Sequence, residues 1–96
     1  MARAEKVLKN WRESTSKQKV SLNEVEIVIS HYLADLCTDR KNKGGSHRFI
    51  IQHEKIKERN IDKFDTITIP VDGKLVKSHY IKKLIKVIDL RLEGEI

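Results

Sequence analysis

The spacing of the apolar residues changes twice along this 96-residue chain, and these changes constrain the fold more than any other feature. Across residues 22–36 the apolar side chains recur every three or four positions, as on one face of a helix. Residues 47–53 are aromatic and β-branched at their centre, and across residues 64–71 apolar residues alternate with polar ones, as in half-buried strands. Helical spacing returns over residues 80–88. This order predicts an α+β fold, with helices packed on a small antiparallel sheet.

The start of the first long helix carries a strong local signal. Ser21-Leu22-Asn23-Glu24 has the form of a capping box. In this motif the serine oxygen accepts a hydrogen bond from the backbone N–H three residues later, and the glutamate side chain accepts one from the backbone N–H of the serine. Val20 and Val25 stand where a hydrophobic staple places its two apolar residues. We therefore predict a helix over residues 22–33.

The remaining elements follow from turn residues and alternation. Gly44-Gly45 predicts a hairpin turn, Pro70 marks the edge or end of a strand, and Asp72-Gly73 predicts a second turn. The expected elements are a short helix over residues 2–12, strands over 35–41, 47–53 and 64–71, a charged loop over 54–62, and a final helix from Ser78. Two helices would then cover one face of the three-stranded sheet and leave the other face free.

The predicted organisation is an α-β-β-β-α sandwich with a short N-terminal helical extension. Residues 1–19 are expected to form the extension and residues 20–96 the domain. The extension carries Trp11, which we expect to pack rather than to bind a ligand.

Composition restricts the class of partner. The formal net charge is +6 and the isoelectric point is about 9.6, which favours a polyanionic partner such as nucleic acid. No apolar run reaches the roughly 18 to 20 residues of a membrane span, and the first residues do not resemble a secretion signal. Cys37 is the only cysteine, which excludes an internal disulfide and fits a reducing cytoplasm.

Two short stretches resemble a known family. Lys43-Gly44-Gly45-Ser46-His47-Arg48-Phe49 and Thr68-Ile69-Pro70-Val71-Asp72-Gly73-Lys74, followed by a basic terminal helix, are similar to the HicA toxins of bacterial toxin–antitoxin pairs. The resemblance covers residues 20–90. The chain departs from the family pattern in three places. It has an added segment before Val20 and a longer loop over residues 54–62, and it has Leu33-Ala34-Asp35-Leu36 in place of a Gly-Phe pair.

The resemblance implies a fold like that of double-stranded-RNA-binding domains (dsRBDs). It implies a toxin that acts as an mRNA interferase, a ribosome-independent endoribonuclease held inactive by a HicB-like antitoxin protein. The family's catalytic histidine corresponds to His47 in this chain.

The residues around His47 suit that chemistry. In RNA the 2′-hydroxyl attacks the neighbouring phosphate, so a protein without a metal or cofactor needs only to move protons and stabilise charge. An imidazole with its ordinary pKa near 6.5 has both forms available at neutral pH. Gly44 and Gly45 leave backbone N–H groups open to a phosphate. The predicted RNA-binding residues are Lys41, Lys43, Gly45, Ser46, Arg48, Lys74 and Lys77.

The other histidines differ in whether they can act with His47. His53 lies six residues further along the same predicted strand, roughly 20 Å away at about 3.3 Å per residue, so the two cannot share a metal ion or a phosphate. His53 is therefore expected to be structural, and His31 to be solvated or partly packed. His79, at the start of the last helix, is a candidate second proton donor. No metal site is predicted.

Two other functions remain open at this stage. A non-catalytic RNA-binding module would use the same fold and the same basic residues. A protein-interaction domain would use its positive charge only for solubility. The lysines of the last predicted helix, Lys82, Lys83 and Lys86, are equally compatible with a solvated face and with contacts to an RNA backbone.

Overall fold

The computed structural model describes residues 3–13, 19–41 and 47–96. For residues 39–41 and for His47 it describes the backbone only. The helices in these ranges are α1 (Arg3–Glu13), α2 (Leu22–Tyr32), α3 (Glu54–Glu58) and α4 (Ser78–Leu92). The strands are β1 (Lys19–Ser21), β2 (Cys37–Lys41), β3 (His47–Gln52), β4 (Thr66–Val71) and β5 (Leu75–Lys77).

Helix α2 begins as the sequence predicts. The Glu24 N–H donates to Ser21 Oγ at 3.4 Å, and the Ser21 hydroxyl donates to Glu24 Oε2 at 3.1 Å. Val20 and Val25 are both buried, as a staple requires. The serine thus satisfies one of the backbone donors that a helix start leaves unpaired.

Replacing this cap should weaken the protein measurably. We expect Ser21→Ala to lower the free energy of unfolding by about 1 kcal/mol, because the Glu24 N–H loses its acceptor. Urea unfolding followed by circular dichroism measures the change. Ser21→Asp keeps an acceptor at this position and should lose much less, so equal losses in the two variants would contradict the role of the cap.

The larger sheet contains three antiparallel strands in the order β2-β3-β4. Its odd-numbered positions contribute to the core: Phe49, Ile51, Ile67 and Ile69 are buried, and apolar residues of α2 and α4 join the same cluster. The even-numbered described side chains are exposed or half-buried. We call these even-numbered positions the open face. The predicted α+β fold with a three-stranded antiparallel sheet is confirmed.

A second, two-stranded sheet was not predicted. β1 pairs with β5 in antiparallel register, with Lys19 opposite Lys77 and Val20 opposite Val76. Val20 and Val76 are buried, and the Leu22 N–H donates to the Lys74 carbonyl at 2.8 Å. Residue 19 was expected to end the N-terminal extension. It forms a strand instead because β5 supplies a partner 58 positions further along the chain.

The segment expected as a charged loop also contains structure. Residues 54–58 form α3, which His53 caps by accepting from the Lys55 N–H through Nδ1 at 3.1 Å. Ile56 is fully buried and fixes this short helix to the core. The expectation that His53 is structural is confirmed, whereas the expectation of an unstructured loop at this point was wrong.

The N-terminal helix packs against the rest of the molecule through Ala4, Val7, Leu8 and Trp11. It contacts α2 and α4, and Arg12 forms an ion pair with Asp89 of α4. The predicted packing role of Trp11 is confirmed, since its side chain is 5% exposed.

An ion pair connects the loop after α3 to α4. Lys83 Nζ donates to Asp62 Oδ2 at 2.8 Å, and this hydrogen bond holds the pKa of the Asp62 carboxyl below its ordinary value. A carboxyl with a lowered pKa stabilises the fold above its unfolded pKa, and that stability is lost as the pH falls through the folded pKa.

We therefore expect Lys83→Met to raise the pKa of Asp62 and to lower the free energy of unfolding at pH 7. The loss should be about 0.2–1 kcal/mol, because the pair is partly exposed. The difference between variant and wild type should shrink as the pH falls through the lowered pKa of Asp62 and disappear below it. Carboxyl titration by NMR, together with unfolding at both pH values, measures this. An unchanged Asp62 titration in the variant would contradict it.

Candidate functional site

His47 is the first residue of β3, the central strand of the larger sheet. Its backbone is in register with Lys41 on one side and with Val71 on the other. Its odd position is that of Phe49 and Ile51, which are buried further along the strand. His47 therefore lies at the end of the sheet where β2 finishes, β3 begins and β4 finishes.

Part of the predicted site lies outside the described residues. This applies to Lys43, Gly45 and Ser46, and also to Gly44, the other member of the glycine pair. For Lys41 the backbone is described, and it is the cross-strand partner of His47. The pairing of β2 with β3 brings Lys41 beside His47, as the predicted hairpin requires.

Arg48 is on the open face, at the position next to His47. Because side chains alternate across a strand, positions 47 and 48 belong to opposite faces of the sheet. The sequence prediction grouped Arg48 with the residues that would hold RNA at His47. The structure separates the two positions by face, although they share one end of the sheet.

The chain leaves β4 at this same end through a tight turn. The Leu75 N–H donates to the Asp72 carbonyl at 3.1 Å, and the Asp72 N–H donates to the Leu75 carbonyl at 2.9 Å. Gly73 has a φ of 65°, which glycine adopts without strain. The predicted Asp72-Gly73 turn is confirmed, and it places the exposed Lys74 within the connection between the two sheets.

Lys77 follows at the end of β5, with Lys19 directly opposite it on β1. Both lysines are exposed. Like charges placed directly opposite each other destabilise a strand pair, so this arrangement favours an anion at the surface. Sequence reasoning missed Lys19 because only the pairing of β1 with β5 brings it next to Lys77. We call Lys19, Lys74 and Lys77 the lysine cluster.

The ion pairs of the described residues leave the lysine cluster uncompensated. The basic residues in these pairs are Arg12, Lys55, Arg59, Lys83 and Arg91, and none belongs to the cluster. Lys83 was one of the helix lysines considered for RNA contact, but Asp62 already compensates it. Lys82 and Lys86 are exposed and take part in none of these pairs.

The remaining histidines divide by role. His79 is exposed in the first turn of α4, where its ring lies 3.9 Å from the ring of Tyr80 between centroids. It is therefore accessible to a ligand near the lysine cluster, and its role as a second proton donor stays a prediction. His31 is exposed on α2, as expected.

The described part of the chain contains neither a metal-binding cluster nor a membrane-spanning helix. In residues 3–13, 19–41 and 47–96, no group of three histidine, cysteine or acidic residues is placed to hold a metal ion. No helix in those ranges has the length and apolar character to cross a membrane.

Comparison with known proteins gave no relative from which a function can be transferred. No family model, curated protein or solved structure matches the chain.

Proposed function

We propose that this chain is an RNA-cleaving toxin of the HicA type, a metal-independent endoribonuclease acting on mRNA in the cytoplasm. The observation that carries the proposal is the position of His47. It begins the central strand at the end of the sheet where an exposed, uncompensated Lys74 connects β4 to β5. The proposal includes a dsRBD-like fold for residues 20–96 and a HicB-like antitoxin as protein partner.

His47 acts in this proposal as the general acid or base. It takes the proton of the attacking 2′-hydroxyl or gives one to the departing 5′-oxygen, while the phosphoryl oxygens gain negative charge. Lysines near the phosphate stabilise that charge without proton transfer. In this proposal the lysine cluster has that role, with Lys19 from β1, Lys74 from the turn after β4 and Lys77 from β5. His79 is the candidate second proton donor.

The reaction route determines the test. We expect the purified chain to cleave single-stranded RNA in excess EDTA and to leave 2′,3′-cyclic phosphate and 5′-hydroxyl ends. An RNA with 2′-deoxy sugars at the cleavage positions should resist, because the attacking hydroxyl is absent. Cleavage that requires a metal ion, or that proceeds on the deoxy substrate, would refute this mechanism. Binding of RNA without cleavage by the wild-type chain would leave a non-catalytic RNA-binding module.

The lysine cluster provides a prediction on binding. We expect Lys74→Ala and Lys77→Ala each to reduce the slope of log affinity against log salt by about one, because each lysine neutralises one phosphate. Fluorescence anisotropy with a labelled RNA across a salt series measures the slope. Lys6→Ala, at an exposed position of α1, is the matched control and should leave the slope unchanged. Equal slopes for all three variants and wild type would exclude the cluster from the RNA interface.

A further inference from the structure

The open face of the three-stranded sheet has a charge pattern that the proposed active site does not use. Arg40 and Arg48 are cross-strand partners at two of its positions, and among the described strand positions of this face none is acidic. Like charges opposite each other reduce the stability of a strand pair. In the described part of the chain no acidic residue pairs with Arg48. The face is therefore suited to an anionic partner.

An exposed aromatic residue stands at the other end of this sheet. Phe64 is 68% exposed, the highest value among the large apolar residues described. The His53 N–H donates to the Asp65 carbonyl at 2.9 Å, so pairing continues one step beyond β4. Phe64 itself lies in a bend two residues before β4, at the end of the sheet opposite Arg48. From Thr66, the first residue of β4, to Pro70, the partner of Arg48, the strand advances four residues, roughly 13 Å at about 3.3 Å per residue.

The positions between these two ends are mainly neutral hydrogen-bonding residues. Thr68 and Gln52 are exposed, and Thr66 is half-buried. Hydroxyl and amide groups pair with base edges and do not repel phosphates. An exposed aromatic ring stacks on an unpaired base, whereas the bases of a duplex are already stacked on each other. An arginine end, a neutral centre and an aromatic end together match a single strand of RNA.

We infer that the open face binds a single-stranded segment of the RNA substrate, with a base stacked on Phe64 and a phosphate at Arg48. This inference rests on the proposed function for the identity of the ligand. The length of the face corresponds to a short segment of a few nucleotides, near the lower limit of known single-strand footprints on small domains. Since Arg48 adjoins His47 in sequence, the bound strand leads from Phe64 towards the end of the sheet where β3 begins.

The test uses the full chain and a fluorescein-labelled oligouridine carrying 2′-O-methyl groups, which cannot be cleaved through its own 2′-hydroxyl. We expect Phe64→Ala to weaken binding by roughly 5- to 100-fold, the loss typical of one stacked base. Phe64→Trp should retain the affinity, and Phe64→Leu should lose it as alanine does, because leucine is apolar but has no ring to stack. Arg48→Gln should weaken binding and reduce the salt slope by about one.

Matched controls are Leu92→Ala, an exposed apolar residue of α4, and Lys9→Gln, an exposed cation of α1. Both should bind as wild type does, and circular dichroism should show the same fold in every variant. Wild-type affinity in Phe64→Ala, wild-type affinity in Phe64→Leu, or equal affinity for a duplex of the same length would each overturn the inference. The first two results would instead suit a face that contacts an acidic protein. Because the probe is not cleaved, the result is independent of whether His47 is catalytic.

Discussion

Replacing His47 with alanine is expected to reduce RNA cleavage by a factor on the order of 10²–10⁴, the usual contribution of a positioned general acid or base. The substitution removes the only proposed proton-transfer group on β3 and leaves the lysine cluster unchanged. RNA binding should therefore remain close to that of wild type while the cleavage rate falls. Single-turnover cleavage of a labelled RNA in EDTA separates these two quantities.

Two controls make this result specific. His31→Ala removes an exposed imidazole from α2 and should cleave at the wild-type rate. Added imidazole should partly restore cleavage by His47→Ala, because a small diffusible base replaces the missing proton acceptor. If His47→Ala cleaves as fast as His31→Ala does, with both proteins folded, another residue performs the proton transfer and the proposed mechanism is wrong.

The second large effect concerns stability. Trp11→Ala is expected to lower the free energy of unfolding by about 3–5 kcal/mol, since it removes a large buried ring and leaves a cavity between α1 and the helices that it contacts. A loss of this size corresponds to a melting temperature lower by more than about 10 °C for a domain of this length. Thermal unfolding followed by circular dichroism at 222 nm, a helix-sensitive wavelength, measures it.

The indole also permits a matched comparison. Trp11 Nε1 is buried and has no hydrogen-bond partner among the described residues, which costs stability. Trp11→Phe removes this unpaired N–H and keeps an aromatic ring, so its loss should be much smaller than that of Trp11→Ala. Leu92→Ala, at an exposed apolar position, should change little. If Trp11→Ala unfolds at the wild-type temperature, α1 is not part of the cooperative unit.

The sequence predicted the elements whose signals are local. The Ser21–Glu24 cap defined the start of α2, and the alternation around Ile67 and Ile69 defined β4, because these patterns arise from backbone geometry and the burial of one face. β1 and β5 have three residues each, too few to show a period. They form because each supplies the other with hydrogen-bond partners. Helix α3 also depends on a tertiary contact, the burial of Ile56 in the core.

The same distinction between local patterns and long-range pairing applies to the residues of the candidate site. Lys41 beside His47 followed from the predicted hairpin, whose two strands are local in sequence. Lys19 opposite Lys77 depends on pairing across the whole domain, so no local pattern identifies it. The separation of Arg48 from His47 by face follows from strand alternation, which applies as soon as both residues belong to one strand.

The pairing of β1 with β5 has a consequence for how the toxin proposed above is produced. The two strands join segments that are 58 positions apart, so the ladder cannot close until the ribosome has released the chain beyond Lys77. Until then Lys19 and Lys77 are not held opposite each other, and α4 has not emerged to cover the sheet. A nascent chain is thus expected to be harmless until β5 and α4 have emerged, and an antitoxin translated nearby first meets the finished surface only then.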